Sequence, residues 1–322
     1  MSKTAGILMP CRGHLPHVQL AVQSILSQTH RDFDFLIIND GSEPVVREYL
    51  ENIQDSRVRV IHHETSIGVS RSLNKGLREL QTEIVIRMDS DDIAHPGRLA
   101  LQCQYLTAHP EITVLGGQVQ NMDGQGKSPR VPLTHPDIGY RLNWSNALNH
   151  PTVAYRRQAI LDFGGYDESL GPLEEDLELW TRLFFQTRLA NLAEVILDYR
   201  VHPNQTSKVH WAATETVRSR IRQTFRLKLT GCTVAPVFDY QDRWMPEYRP
   251  TQEEWEDWTG YLNRLREVMR DFPGSSGDPG RDLARRFYHS AARFKSAGGD
   301  PGDVRSKTKK LSRWYALTKG IL

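Results

Sequence analysis

Cysteine is scarce in this chain: Cys11, Cys103 and Cys232 are odd in number and widely spaced. With no C-x-x-C pair, neither a disulfide framework nor a cysteine zinc site is indicated, and reduced thiols in a cytoplasm are the simplest expectation. Long apolar runs are missing too. Nowhere do 18 apolar residues follow one another, and the first six residues pass into a short strand without the apolar stretch of a signal peptide, which argues against an integral membrane protein. Charge of one sign is also lacking: 41 Lys and Arg against 39 Asp and Glu leave a net +2. That balance argues against nucleic acid as a partner and for a small or neutral substrate. No G-x-x-x-x-G-K-[ST] phosphate loop occurs, which removes the P-loop enzymes.

What the chain does have is an acidic cluster in a telling place. Glu83–Met88 reads as a buried strand, and it runs straight into Asp89-Ser90-Asp91-Asp92. Three carboxylates this close raise one another's pKa unless a cation sits among them, and hard oxygen ligands suit Mg²⁺ or Mn²⁺. Taken alone, the same residues also suit a solvated turn or a helix N-cap.

Alternating apolar and amphipathic stretches over the first ~120 residues predict strand–helix units and an α/β fold with a mostly parallel sheet. Gly6–Met9, Phe33–Ile38 and Val58–Ile61 read as strands. Helices are expected around Val18–Leu26, Glu43–Ile53 and Val69–Leu80, before the acidic strand end. In such a sheet ligands gather beyond the carboxyl ends of the strands. Pro10-Cys11-Arg12-Gly13, Asn39-Asp40-Gly41-Ser42 and Asp89–Asp92 all fall there, so a shared site is expected.

Further on, Thr113–Gln120 reads as a strand and Asp123-Gly124 as a hairpin-like turn. Phe163-Gly164-Gly165-Tyr166-Asp167 is a turn before Glu174-Glu175-Asp176, which opens a helix. Leu177, Trp180, Leu183 and Phe184 are spaced for the buried face of that helix. By themselves the three acids do no more than complement a helix dipole. From about residue 210 long amphipathic helices and Pro/Gly breaks such as Phe272–Gly280 take over, including Thr251–Arg270 behind a capping box and Asp282–Lys295. We therefore expect a first domain over 1–209 and a helical accessory region over 210–322. The tail Arg305–Lys319 carries six basic residues and no acid. It reads first as a solvated helix packed by its aromatics, and secondly as a contact for anionic lipid at the inner face of a membrane.

In their order, Met9-Pro10, Ser24–Thr29, Asn39–Ser42, Gly68–Gly76, Arg87–Asp92, His150–Val153, Gly164–Asp167, Glu175-Asp176 and Tyr199–His202 make residues 5–205 resemble family 2 glycosyltransferases of the GT-A fold. The resemblance implies a nucleoside-diphosphate sugar donor, most often a UDP-sugar, and inversion in one displacement. It places Pro10, Arg12, Asp40, Arg71, Asp89 and Ser90 at the nucleotide. Asp91, Asp89 and His202 would hold a divalent metal, Mn²⁺ or Mg²⁺, and Asp176, with Glu175 beside it, would be the general base. Gly164, Gly165, Tyr166, His150 and Trp180 fall to the donor or acceptor sugar. The chain departs from the family at Cys11–His14 and at Leu73, where many relatives carry Arg before Asn74; Asn74 is then expected to tie backbone. The acceptor stays open between a glycan, a lipid-linked sugar, a protein and a small natural product. The rival readings are a GT-A protein that binds sugar nucleotide or glycan without turnover and, with a poorer loop match, a sugar-1-phosphate nucleotidyltransferase.

Overall fold

The computed structural model describes residues 5–122, 128–170, 173–201, 211–234 and 251–270, with residues 283, 286, 290, 291, 295 and 302. The Asp123-Gly124 turn, His202, the Phe272–Gly280 breaks and the basic tail lie outside the described residues.

Eight strands form one sheet in the order β3-β2-β1-β4-β7-β6-β8-β5. Its first half is parallel: β1 (Ala5–Cys11), β2 (Phe33–Asp40), β3 (Val58–His63) and β4 (Ile84–Arg87). The second half mixes directions. β7 (Ala154–Arg156) runs antiparallel to β4 and to β6 (Ile112–Asn121), whereas β8 (Arg188–Tyr199) runs parallel to β6 and pairs antiparallel with β5 (Ile93–Ala94). The fold is α/β with a mostly parallel sheet, as the sequence predicts.

The central strands read as continuous apolar runs because both sheet faces are covered. On one face Ile7, Met9, Phe35 and Ile37 share a core with Val18, Ala21, Val22 and Ile25 of α1 (Leu15–Leu26) and with Val46 and Leu50 of α2 (Pro44–Glu51). Successive strand residues point to opposite faces, so Leu8 meets α3 (Val69–Glu79) instead. There Gly76 allows close approach: a Cβ on it would stand 2.1 Å from a Leu8 methyl. The remaining helices of this part are α4 (Arg98–Ala108), α5 (His135–Leu142), α6 (Arg157–Asp162) and α7 (Glu175–Leu183).

Strand register fixes what shares an edge. Cys11 pairs with Asn39, Asp40 with His63 and Leu8 with Arg87, so the loops after β1, β2, β3 and β4 emerge together. The chain divides into two units, 1–138 with 146–217, and 139–145 with 218–322. The helical unit takes seven residues from the middle of the chain, which the expected boundary at 209/210 does not capture. Its core gathers Trp255, Trp258, Tyr261, Leu262, Leu265 and Met269 of α9 (Gln252–Arg270), with Leu229 of α8 (Trp211–Thr230) and Trp144 packed against them. Among the described residues no helix is long and apolar enough to cross a membrane.

Candidate active site

At the end of β2, Asp40 is nearly buried and fully engaged. Its oxygens accept from Ile67 N (2.7 Å), Ser66 Oγ (2.7 Å), Gly68 N (3.0 Å) and His63 Nδ1 (3.2 Å). Burial pushes this carboxyl up, but those hydrogen bonds outweigh it and hold Asp40 below the ordinary carboxylate range. Asp40 thereby pins the loop that opens α3, where Gly68 sits at φ 92°. Arg12 reaches the same loop through Ser66 Oγ at 3.2 Å, and Asn39 Oδ1 closes the β2 turn on Ser42 N at 3.1 Å. Pro10 lies in the last stretch of β1, and the loop that follows it with Arg12 lies against the acidic cluster: a Cβ on Gly13 would come 3.0 Å from Ser90 Oγ. Pro10, Arg12, Asp40 and Ser90 are thus brought together, whereas Arg71 is exposed and turned to Glu168 at 3.5 Å.

Carboxylate oxygens of Asp89, Asp91 and Asp92 lie within 4.8 Å of one another. Each acid has a different surrounding. Asp89 is held by Arg87 in a two-pronged pair, 2.7 Å to Oδ2 and 2.5 Å to Oδ1. Asp92 is 0% exposed; its Oδ1 accepts Arg200 N at 2.9 Å, and its buried Oδ2 has no hydrogen-bond partner. Burial first, then the charges of Asp89 and Asp91, push Asp92 up to about 8. A hard divalent cation fits this set: three oxygen ligands, one of them buried and unpartnered, in a field that already repels negative charge. Behind the cluster Arg98 is fully buried, donating to Arg87 O (2.6 Å) and Gln102 Oε1 (3.0 Å). Burial lowers it to about 9.

The second half of the site is the start of α7. Glu174 precedes it at φ 61°, the left-handed region that a non-glycine residue enters only under constraint. Asp176 accepts Leu177 N at 2.7 Å, and its other oxygen takes a short hydrogen bond from the Asn146 side-chain amide. Glu175 lies 3.6 Å from His150 Nδ1, and His150 Nε2 shares a 2.9 Å hydrogen bond with the Tyr166 hydroxyl. Burial raises Glu175 to about 8, helped by Asp176, and raises Asp176 to about 6, helped by Glu174. Burial also holds His150 well below its ordinary value, hence neutral. Burial therefore works against the charged form at both neighbours.

Three residues assigned to the sugar are placed behind the site. Trp180 and Tyr166 are 0% and 1% exposed and His150 is 8% exposed. Trp180 follows its helical spacing into the core, edge-on to His150 with ring centres 5.9 Å apart, so it supports the site and offers no stacking face. Gly164 is open and borders a polar cleft of about 440 Å³ that Asn74, Asp167, Glu178 and Arg182 also line. Asn74 does tie backbone: it donates to Tyr166 O and accepts from Tyr166 N, both at 2.8 Å. A Cβ on Gly165 would meet Asn74 Oδ1 at 2.4 Å with φ at +70°, whereas one on Gly164 would meet nothing within 4 Å. Gly165→Ala is expected to lose about 2–4 kcal/mol in urea unfolding and Gly164→Ala about 1 kcal/mol. Equal losses would refute the contact.

Sequence reasoning missed Arg87, Arg98 and Asn146. Arg87 had a signal, the one cation inside an apolar strand, which requires a buried partner. Asn146 lies in an aperiodic stretch and had none.

A sequence model described as glycosyl transferase family 2 matches residues 6–165. The O-antigen biosynthesis glycosyltransferase WbnJ of Escherichia coli is 30% identical over 228 residues, 68% of this chain and 87% of that protein. The chain belongs to glycosyl transferase family 2. Another relative, the E. coli UDP-Gal:alpha-D-GlcNAc-diphosphoundecaprenol beta-1,3-galactosyltransferase, is 30% identical over 190 residues, 56% of this chain and 67% of that protein. Among solved structures, the mannosyltransferase PcManGT from Pyrobaculum calidifontis, in complex with GDP-Man and Mn²⁺, matches with a TM-score of 0.53 at 12% identity, covering 100% of this chain and 87% of that one. That likeness shows the GT-A fold. The protein is a glycosyltransferase that takes its sugar from a nucleotide sugar.

Proposed function

We propose that this glycosyltransferase inverts the anomeric centre in a single displacement, moving a sugar from a UDP-sugar to an acceptor hydroxyl with Asp176 as general base. The observation that carries it is Asp176 at the start of α7, its two oxygens held by the Asn146 side-chain amide and the Leu177 amide. A base must accept a proton at working pH, and Asp176, raised to about 6, does so better than an ordinary aspartate while still ionised.

Asp176 takes the proton from the acceptor oxygen as that oxygen attacks. Asn146 and the Leu177 amide hold its two oxygens in place. Burial raises Glu175 to about 8, which works against a second charge beside the developing nucleophile. At the other half, Asp89, Asp91 and Asp92 would hold the divalent cation, with His202 a further ligand by family likeness. When bound, the cation supplies Lewis-acid stabilisation to the departing nucleoside diphosphate, worth several kcal/mol. Arg12 and the Ser66–Gly68 loop pinned by Asp40 frame the nucleotide. UDP is favoured by the name of the galactosyltransferase relative. The names of both E. coli relatives favour a glycan hydroxyl as acceptor, lipid-linked in one of them.

The test is a thermal-shift and calorimetric screen of UDP-galactose, UDP-N-acetylglucosamine, UDP-glucose and GDP-mannose with and without Mn²⁺. Mn²⁺-dependent binding of a UDP-sugar is expected, and Asp91→Ala should weaken both Mn²⁺ binding and the metal-dependent part of donor binding by about 100-fold. Donor binding indifferent to Mn²⁺ and to Asp91→Ala would remove the metal from the mechanism; binding of no donor would remove the donor reading itself.

A further inference from the structure

The acidic loop Asp89–Asp92 is held from both ends, and by different means. On the β4 side Arg87 donates to both oxygens of Asp89. On the other side the loop runs straight into β5, whose Ile93 and Ala94 pair with Asp198 and Leu197 of β8. Side chains stitch that ladder further: His95 Nε2 and Gln120 Nε2 lie 2.8 and 2.7 Å from the same oxygen of Asp198, Oδ1. His95 N also donates to Ile196 O, and Met122 N, just past β6, to Tyr199 O, both at 3.0 Å. The end of β8 is therefore tied on both sides.

Arg200 follows directly, and it makes two contacts back to the acidic loop. Its amide donates to Asp92 Oδ1 at 2.9 Å, and its Nε donates to the Asp91 carbonyl at 2.8 Å. The first contact commits one oxygen of Asp92 and stops rotation of the carboxylate. The other oxygen, Oδ2, is buried without a hydrogen-bond partner and is left with one direction. The second contact fixes the backbone from which the Asp91 side chain springs. Both residues belong to the three whose carboxylate oxygens lie within 4.8 Å of one another.

We propose that Arg200 is a positioning residue for the divalent cation: it clips the acidic loop to the end of β8 and so presents Asp91 and Asp92 as preset ligands. The inference rests on the metal reading given above. The charge of Arg200 works in the opposite sense. A guanidinium beside a cation site repels the cation, so a residue that acted there by charge alone would weaken the site. What Arg200 contributes is its two N–H donors. Removing an outer partner of this kind typically lowers metal affinity 10- to 100-fold, because the ligands are then no longer held in the binding geometry.

Those opposite signs make the test. Mn²⁺ alone is titrated into the full chain and free Mn²⁺ is followed by electron paramagnetic resonance, with no donor present, well below the melting temperature of each variant. Arg200→Met keeps the length of the side chain as far as Nε and loses both the charge and the Nε–H. Arg200→Gln loses the charge but puts an amide N–H at the position of Nε. The backbone amide, and with it the Asp92 contact, is the same in all three proteins. Arg200→Met is expected to weaken Mn²⁺ binding about tenfold or more, and Arg200→Gln to stay within about threefold of wild type. Tighter binding in both variants would mean that only the charge counts, and would overturn the inference. Equal weakening in both would overturn it as well, since the restored N–H would then have no effect. Asp91→Ala separates this from the metal reading. A wild type that binds no Mn²⁺, or an Asp91→Ala variant that binds it equally well, removes the metal reading and this inference with it. If Asp91→Ala loses Mn²⁺ while Arg200→Met binds it within about threefold of wild type, this inference fails alone.

Discussion

Asp176→Asn is expected to lower sugar transfer by about three to four orders of magnitude while leaving donor and Mn²⁺ binding within about twofold. The substitution keeps size and both hydrogen-bonding positions, so the Leu177 amide and Asn146 still have a partner at 176 after a local amide rotation. What is lost is the lone pair that receives the acceptor's proton. In wild type the rate should climb with pH through about 6, where Asp176 ionises, and in the mutant that limb should vanish. Glu175→Gln makes the complementary comparison. Burial pushes Glu175 up to about 8, which favours its neutral form, so a neutral amide is a close mimic and transfer near pH 7 should survive within about tenfold. If Glu175→Gln is inactive and Asp176→Asn is not, the two carboxyls have been assigned the wrong way round.

The half of the site that could be read from sequence is the half built on strand ends. β1, β2 and β4 are buried on both faces and so appear as apolar runs, and the acids that follow them fall on one edge by register. β3 runs on to His63, two residues past the apolar signal, because His62 and His63 bond to Asn39 and Asp40 across the strand pair. In the second half of the sheet Thr113–Gln120 was legible and is β6, but β7 and β5 were not, for the opposite reason. β7 is three residues long, too short to show a period, and β5 is two. Trp180 carries two expectations, core by its i, i+3 spacing and a sugar contact by the family resemblance, and at 0% exposure it lies in the core. Asn146 and Asn143 belong to contacts that close over 30 and 118 residues of chain, which no local pattern encodes.

Arg87 joins the two halves of the site, and Arg87→Met should damage both stability and transfer. Its guanidinium is buried, with its side chain 5% exposed, and neutralises Asp89 by a two-pronged pair. The same charge acts on Glu175 and Asp176, lowering the pKa of each against the rise that burial imposes. Removing one partner of a buried pair typically costs about 3–5 kcal/mol; Asp89 keeps 28% of its side chain exposed and can recover some hydration, so about 2–3 kcal/mol is the expected loss. At about 2–4 °C per kcal/mol for a chain of this size, the melting temperature should fall by roughly 5–10 °C. Part of that loss comes from the stranded Asp89 charge, so Arg87→Met with Asp89→Asn should be more stable than Arg87→Met alone, giving a coupling energy of at least about 1 kcal/mol in a double-mutant cycle. Transfer should fall further than stability explains, because without Arg87 the Asp176 carboxylate becomes harder to ionise and the acid limb of the rate profile moves upward. Arg87→Lys keeps the charge without the two-pronged geometry and should restore the limb while recovering only part of the stability. A double mutant no more stable than Arg87→Met, with a limb still near 6 in both, would reduce Arg87 to a strand residue whose charge has no bearing on the base.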